Sequence, residues 1–144
     1  MISLEKPIQP QIKTSVEPST KTPTNPEKTP PELKILLADN VQIVREALSG
    51  ALKRQPGVRG VDSVGTVDSV LQILRQQGHG YNYVIICGFE GDCRKILEEA
   101  KKQGIPATVL TSHEDLKSIA EKFGAQFLLK GGSTIEQIAK PPQI

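Results

Sequence analysis

The stretch Tyr83-Val84-Ile85-Ile86-Cys87 is apolar from end to end and lies between two turn residues, Gly80 and Gly88. A short apolar run of this kind is typical of a strand buried on both faces, as in the centre of a parallel sheet. On either side of it, strand patterns alternate with amphipathic segments of helical spacing. The sequence therefore predicts an α/β fold, a doubly wound five-stranded parallel sheet with helices on both faces.

Three further apolar runs end on polar residues. They read Ile35-Leu36-Leu37-Ala38-Asp39-Asn40, Thr108-Val109-Leu110-Thr111-Ser112 and Phe127-Leu128-Leu129-Lys130-Gly131. In an open parallel sheet, ligands collect beyond the carboxyl ends of the strands, where the strand order reverses. The candidate site residues are therefore Asp39, Asn40, Cys87, Thr111 and Lys130.

Turn and capping residues set the expected boundaries. Thr66 is the expected N-cap of the second helix, and Ser112 with Asp115 resembles a capping box for the fourth. The second strand is short and alternates apolar with polar residues, so it is expected at an edge. Strands are expected at about residues 34–38, 59–64, 83–87, 107–110 and 126–129, and helices at about 41–55, 66–77, 92–103, 112–123 and 133–139.

Composition indicates one folded domain. The chain has 144 residues, 37% hydrophobic and 24% charged, which is enough for one core of ordinary size. Its net charge of +2 gives no reason to expect direct nucleic-acid or membrane binding. No apolar run approaches the ~20 residues that cross a bilayer, and the N-terminus has no apolar signal region. We expect a cytoplasmic location.

Residues 1–31 differ from the rest of the chain, because they are rich in Pro and Thr and contain no aromatic residue. Such a segment buries too little apolar area to offset its ordering entropy. We expect a disordered tail over 1–31, acting as a spacer or as a docking motif for an aromatic-lined groove, and one domain over 32–144.

Two cysteines offer a different kind of chemistry. Cys87 and Cys93 match neither a C-x-x-C pair nor a zinc ligand set, so we expect free thiols, no metal and no cofactor. Cys87 is expected either to pack inertly or to be a reactive thiol, with Lys130 lowering its pKa. Lys130 is alternatively expected to pair with Asp39 across the site.

The order and spacing of these motifs give the chain from residue 33 to about 140 a resemblance to a known family. It is similar to the receiver domain of bacterial response regulators, a flavodoxin-like (βα)5 fold. The segments that carry the resemblance to the LuxR/NarL type are Ile35 to Asn40, Ile43-Val44-Arg45-Glu46-Ala47-Leu48 and Gly124-Ala125-Gln126-Phe127-Leu128-Leu129-Lys130-Gly131.

The resemblance assigns a role to each candidate residue. Asp39 and Asn40 fall on the two acidic positions that hold Mg²⁺, and Cys87 falls on the phosphoryl-accepting aspartate. Thr111 falls on the hydroxyl switch and Lys130 on the lysine that contacts the phosphoryl group. Only Asp39 supplies a carboxylate where the family has three, so we expect poor Mg²⁺ affinity and no phosphorylation at Cys87.

The leading hypothesis is a degenerate receiver, or pseudo-receiver, acting as an interaction module rather than an enzyme. Its expected partner is a histidine kinase, an output protein or a second copy, bound through the face of the fourth helix, fifth strand and fifth helix. LuxR-type members continue into a DNA-binding domain, and none follows here, so direct DNA binding is not expected. A redox or ligand-sensing switch through Cys87 is the alternative. An enzyme is the last option, since no Gly-rich phosphate loop or nucleophile elbow is present.

Overall fold

Five parallel strands form the sheet of this protein, whose computed structural model describes residues 32–89 and 92–142. The strands are β1 (Leu33–Asp39), β2 (Val58–Val64), β3 (Tyr83–Cys87), β4 (Ala107–Thr111) and β5 (Gln126–Leu129). Their order is β2-β1-β3-β4-β5, with β2 at an edge and β3 in the centre as predicted. The predicted doubly wound parallel sheet is confirmed. The strand order reverses between β1 and β3, which opens a crevice at the carboxyl edge of the sheet.

Helices connect the strands in the expected succession. They are α1 (Gln42–Lys53), α2 (Val67–Leu74), α3 (Cys93–Gln103), α4 (Lys117–Lys122) and α5 (Ile135–Ile138), with a 3₁₀ turn at Glu114–Leu116 before α4. The predicted N-cap is confirmed, because Thr66 Oγ1 accepts the backbone N–H of Ser69 at 3.1 Å.

The predicted capping box at Ser112 is wrong. The preceding hydroxyl makes the local bond instead, since Thr111 Oγ1 accepts the backbone N–H of His113 at 3.1 Å. The chain then enters the 3₁₀ turn without a side-chain cap, and α4 begins only at Lys117. A full capping box starts α5, where Thr134 and Gln137 exchange side-chain to backbone hydrogen bonds at 3.1 and 2.8 Å.

Two apolar layers cover the two faces of the sheet. Leu36, Val84 and Ile86 point to the layer formed with α2, α3 and α4. Ile35 and Ile85, which alternate with those residues along β1 and β3, point to the layer formed with α1 and α5. Because side chains alternate along a strand, the continuous apolar run of β3 serves both layers.

The chain divides into two units, Met1–Pro31 and Glu32–Ile144. The tail predicted over residues 1–31 lies outside the described residues. Among the helices that are described, none is long and apolar enough to cross a membrane.

Candidate functional site

Four of the five predicted residues meet at the carboxyl edge of the sheet. Asp39 and Cys87 are register partners on β1 and β3. Thr111 pairs with Leu129 on β5, and the backbone N–H of Lys130 donates to the Thr111 carbonyl oxygen at 3.0 Å. The register of the sheet therefore brings Asp39, Cys87, Thr111 and Lys130 together.

Asp39 is buried, and the start of α1 holds its carboxylate in place. Only 1% of the residue is exposed. Its Oδ1 accepts the backbone N–H of Val41 at 2.9 Å, while Oδ2 has no hydrogen-bond partner. Burying a carboxylate oxygen without a partner is unfavourable, so such atoms mark sites rather than ordinary packing.

Arg45 supports Asp39 and is a site residue that the sequence reasoning did not single out. Its guanidinium donates to the Asp39 carbonyl oxygen at 2.8 Å, and it also packs against Gly65. Residue spacing gives no signal for this contact, because Asp39 ends β1 and Arg45 bonds to its backbone carbonyl oxygen rather than to its side chain.

The Cys87 thiol is held in its protonated form. The pKa of Cys87 is raised from its ordinary value of 9.0 to about 12, chiefly by burial and further by the neighbouring Asp39 carboxylate, while Lys130 opposes the rise. The predicted lowering by Lys130 is present but outweighed, and the net direction is the opposite of what a reactive thiol requires.

Thr111 and Lys130 are positioned by the backbone, and neither side chain binds Asp39. The Thr111 hydroxyl is fully buried and bonded to the backbone of His113, whereas Lys130 is exposed. The predicted Asp39–Lys130 pair is wrong, since Asp39 has no ion-pair contact with Lys130. Strands β1 and β5 are three strand spacings apart, about 14 Å, and a lysine side chain is too short to span that distance.

Asn40, the fifth predicted residue, lies over the turn that follows β3. Its Oδ1 occupies the place where a side chain at Gly88 would project. Gly88 has φ +84° and Phe89 has φ 58°, so the chain turns through the left-handed region directly after Cys87. Glycine at position 88 therefore lets Asn40 approach the backbone behind the thiol.

The residues at this edge do not fit the Mg²⁺ ion that the receiver resemblance implies. Magnesium requires hard oxygen ligands, chiefly carboxylates. Within the described part of the chain, this edge offers one carboxylate in Asp39, a neutral amide in Asn40 and a protonated thiol in Cys87. Across residues 32–89 and 92–142, no group of three or more His, Cys, Asp or Glu side chains could hold a metal ion.

An apolar groove adjoins the site and was not predicted from the sequence. It has a volume of about 540 Å³ and lies between α1, the ends of β3 and β4, and α5. Its lining residues are Ile43, Val44, Ala47, Leu48, Ala51, Cys87, Leu110, Lys130 and Ile138. The available signal was an apolar stripe on the first helix combined with a last helix cut short by Pro141.

Comparison with solved structures connects this architecture to known proteins. The signal receiver domain of the putative response regulator NarL from Mycobacterium tuberculosis matches with a TM-score of 0.63 at 20% identity, covering 76% of this chain and 92% of that domain. The chain has the fold of response-regulator receiver domains. No family model matches it, and no curated protein matches it.

Two other receiver structures are similar to this chain. HP1043, an orphan response regulator of H. pylori, matches with a TM-score of 0.59 at 15% identity, over 76% of this chain and 93% of that protein. The beryllofluoride-activated NtrC4 receiver domain dimer matches with a TM-score of 0.57 at 20% identity, over 73% and 88%. The receiver fold places the carboxyl edge described above at its topological switch point.

Proposed function

We propose that this chain is a degenerate receiver, a regulatory module of two-component-type signal transduction that works without aspartyl phosphorylation. The observation that carries the proposal is the pairing of Cys87 with Asp39 at the end of β3. Phosphorylation of a receiver requires a carboxylate at that position, and a protonated thiol cannot form the acyl phosphate. We assign the chain no enzymatic activity.

The proposed partner is another protein, bound through the surface of α4, β5 and α5. A histidine kinase, an output protein or a second copy of this chain would each satisfy the proposal. Leu129 on β5 is 37% exposed, which leaves an apolar contact point on that surface. The NtrC4 receiver is described as a dimer, which supports self-association as one form of this contact.

Geometry gives the thiol-switch alternative no support. A sensing thiol needs an accessible sulfur with a lowered pKa, whereas Cys87 is 1% exposed and its pKa is raised to about 12. We therefore retain one proposed function.

Incubation with acetyl phosphate and Mg²⁺, followed by intact-mass measurement, tests the proposal. The wild-type protein is expected to gain no phosphoryl group. The double variant Asn40→Asp/Cys87→Asp restores two carboxylates beside Asp39 and is expected to gain one, because a trio of carboxylates favours a hard divalent cation. A receiver domain that has all three carboxylates is the positive control, because it shows that the acetyl phosphate is active. A phosphoryl adduct on the wild-type chain would disprove the proposed function.

A further inference from the structure

The groove beside the site exists because the last helix is short. α1 has 12 residues and extends about 18 Å, whereas α5 has four residues and extends about 6 Å. Ile43 and Val44 on α1 are consequently 76% and 37% exposed. Among the described residues, no helix packs along this apolar side of α1.

Hydrogen bonds fix the end of α5 and keep the groove open. Tyr83 Oη donates to the Ile138 carbonyl oxygen at 2.6 Å and lies 2.6 Å from Thr108 Oγ1. Gln126 Nε2 donates to the Lys140 carbonyl oxygen at 3.2 Å. The end of α5 is thus anchored to the sheet, and the prolines that follow prevent the helix from continuing along α1.

The floor of the groove is closed and apolar. Cys87, Leu110 and Ile138 lie there and are 1%, 4% and 6% exposed. The thiol is uncharged at neutral pH, and the buried carboxylate of Asp39 does not line the groove. A molecule in the groove therefore contacts aliphatic carbon and a neutral sulfur.

Of the residues that the structure describes, Lys130 is the one charged residue that lines the groove. It is exposed, and no carboxylate among the described residues forms an ion pair with its amine. A volume of about 540 Å³ lies within the range of roughly 300–1,000 Å³ that small-molecule sites occupy. The groove thus combines apolar walls, a closed floor and one unpaired cation at its rim.

We propose that this groove binds a free amphipathic organic anion, with its apolar body against α1 and its carboxylate at Lys130. The complementarity of charge and surface selects this class, since a neutral apolar molecule would leave the lysine unpaired and a cation would be repelled. The inference goes beyond the proposed function and does not depend on it. Binding is measured directly and involves no phosphorylation.

Three probes with the same eight-carbon alkyl chain test the head-group requirement. Nonanoate, octan-1-ol and octylammonium are titrated into ¹⁵N-labelled full-length protein, with chemical-shift changes at Val44, Ala47 and Lys130 as the readout. Nonanoate is expected to bind about threefold to fivefold more tightly than octanol, the effect of an exposed ion pair. Octylammonium is expected to bind more weakly than octanol.

Two substitutions assign the effect to the groove. Lys130→Met is expected to abolish the preference for nonanoate over octanol, whereas Lys117→Met, an equal charge change on exposed α4, is expected to preserve it. Ala47→Phe fills the groove from an exposed helical position and is expected to block all three probes. Glu46→Phe, also exposed on α1 but outside the lining, is expected to leave binding intact.

Several outcomes would overturn the proposal. One is equal affinity for nonanoate and octanol, and another is no chemical-shift change at the groove residues with the probe at millimolar concentration. A third is a dimer, seen by sedimentation, that Ala47→Phe dissociates, which would make a second copy of this chain the occupant. Binding to anionic lipid vesicles without binding of free nonanoate would make a membrane surface the occupant.

Discussion

Asp39 and Cys87 face each other as register partners on adjacent parallel strands, each 1% exposed. A buried carboxylate thus lies beside a buried thiol at the edge where a receiver has its phosphorylation chemistry. Burial and a neighbouring negative charge both disfavour the thiolate. The pair is therefore stable only with the sulfur protonated, and the consequences can be measured.

The first prediction concerns thiol reactivity. In a Cys93→Ala background, alkylation of Cys87 by iodoacetamide is expected to be slow at pH 8 and to rise only at strongly alkaline pH, because its pKa is raised to about 12. Asp39→Asn is expected to lower the alkylation midpoint, since it removes the neighbouring charge. Lys130→Met is expected to raise it. A midpoint that does not respond to Asp39→Asn would show that the carboxylate has no influence on the sulfur.

The second prediction concerns stability at alkaline pH. Cys87 and Tyr83 have ordinary pKa values of 9.0 and 10.0, and both are raised to about 12 in the folded protein. The folded state therefore binds these protons more tightly than the unfolded state. Their stabilisation is complete below about pH 9 and is lost as pH rises from 9 towards 12.

Urea unfolding at pH 8.0 and 10.5 in reducing buffer measures this loss. The urea midpoint is expected to be lower at pH 10.5. Cys87→Ala is expected to show a smaller decrease, because the contribution of the Cys87 proton is gone. A midpoint that stays constant or increases over this range would contradict the assignment.

The third prediction concerns Gly88. Gly88→Ala is expected to destabilise the fold by about 1–2 kcal/mol, because alanine is strained in the left-handed region. The new Cβ would also press on Asn40 Oδ1. Gly132→Ala is the matched control, since nothing lies within 4 Å of a Cβ there and its φ is not positive. If both variants unfold at the same urea concentration, the close approach of Asn40 has no energetic consequence.

The fourth prediction concerns the anchor of α5. Tyr83→Phe removes the donor to the buried Ile138 carbonyl oxygen and is expected to cost about 1–3 kcal/mol of unfolding free energy. Hydrogen exchange at residues 135–140 is expected to accelerate more than in the core strands. Tyr81→Phe is the control, because its hydroxyl bonds to Asp62 near the surface. Uniform exchange across the domain would show that Tyr83 does not specifically hold α5.

Local sequence patterns accounted for most of the architecture. The apolar run ending at Cys87 was sufficient to place β3 in the centre, and the alternating second strand was sufficient to place β2 at the edge. Helix starts were less predictable, because neighbouring hydroxyls compete for the same backbone donors. Thr111 rather than Ser112 makes the bond before α4, while Thr66 caps α2 as expected.

The sequence alone determined which residues reach the carboxyl edge, because parallel strands end together and each candidate directly follows a strand. Tertiary structure decided how those residues act on one another. The pKa of Cys87 depends on its burial and on its distances to Asp39 and Lys130, which the sheet register sets. The groove likewise arises from the unequal lengths of α1 and α5, two helices that meet only in the folded chain.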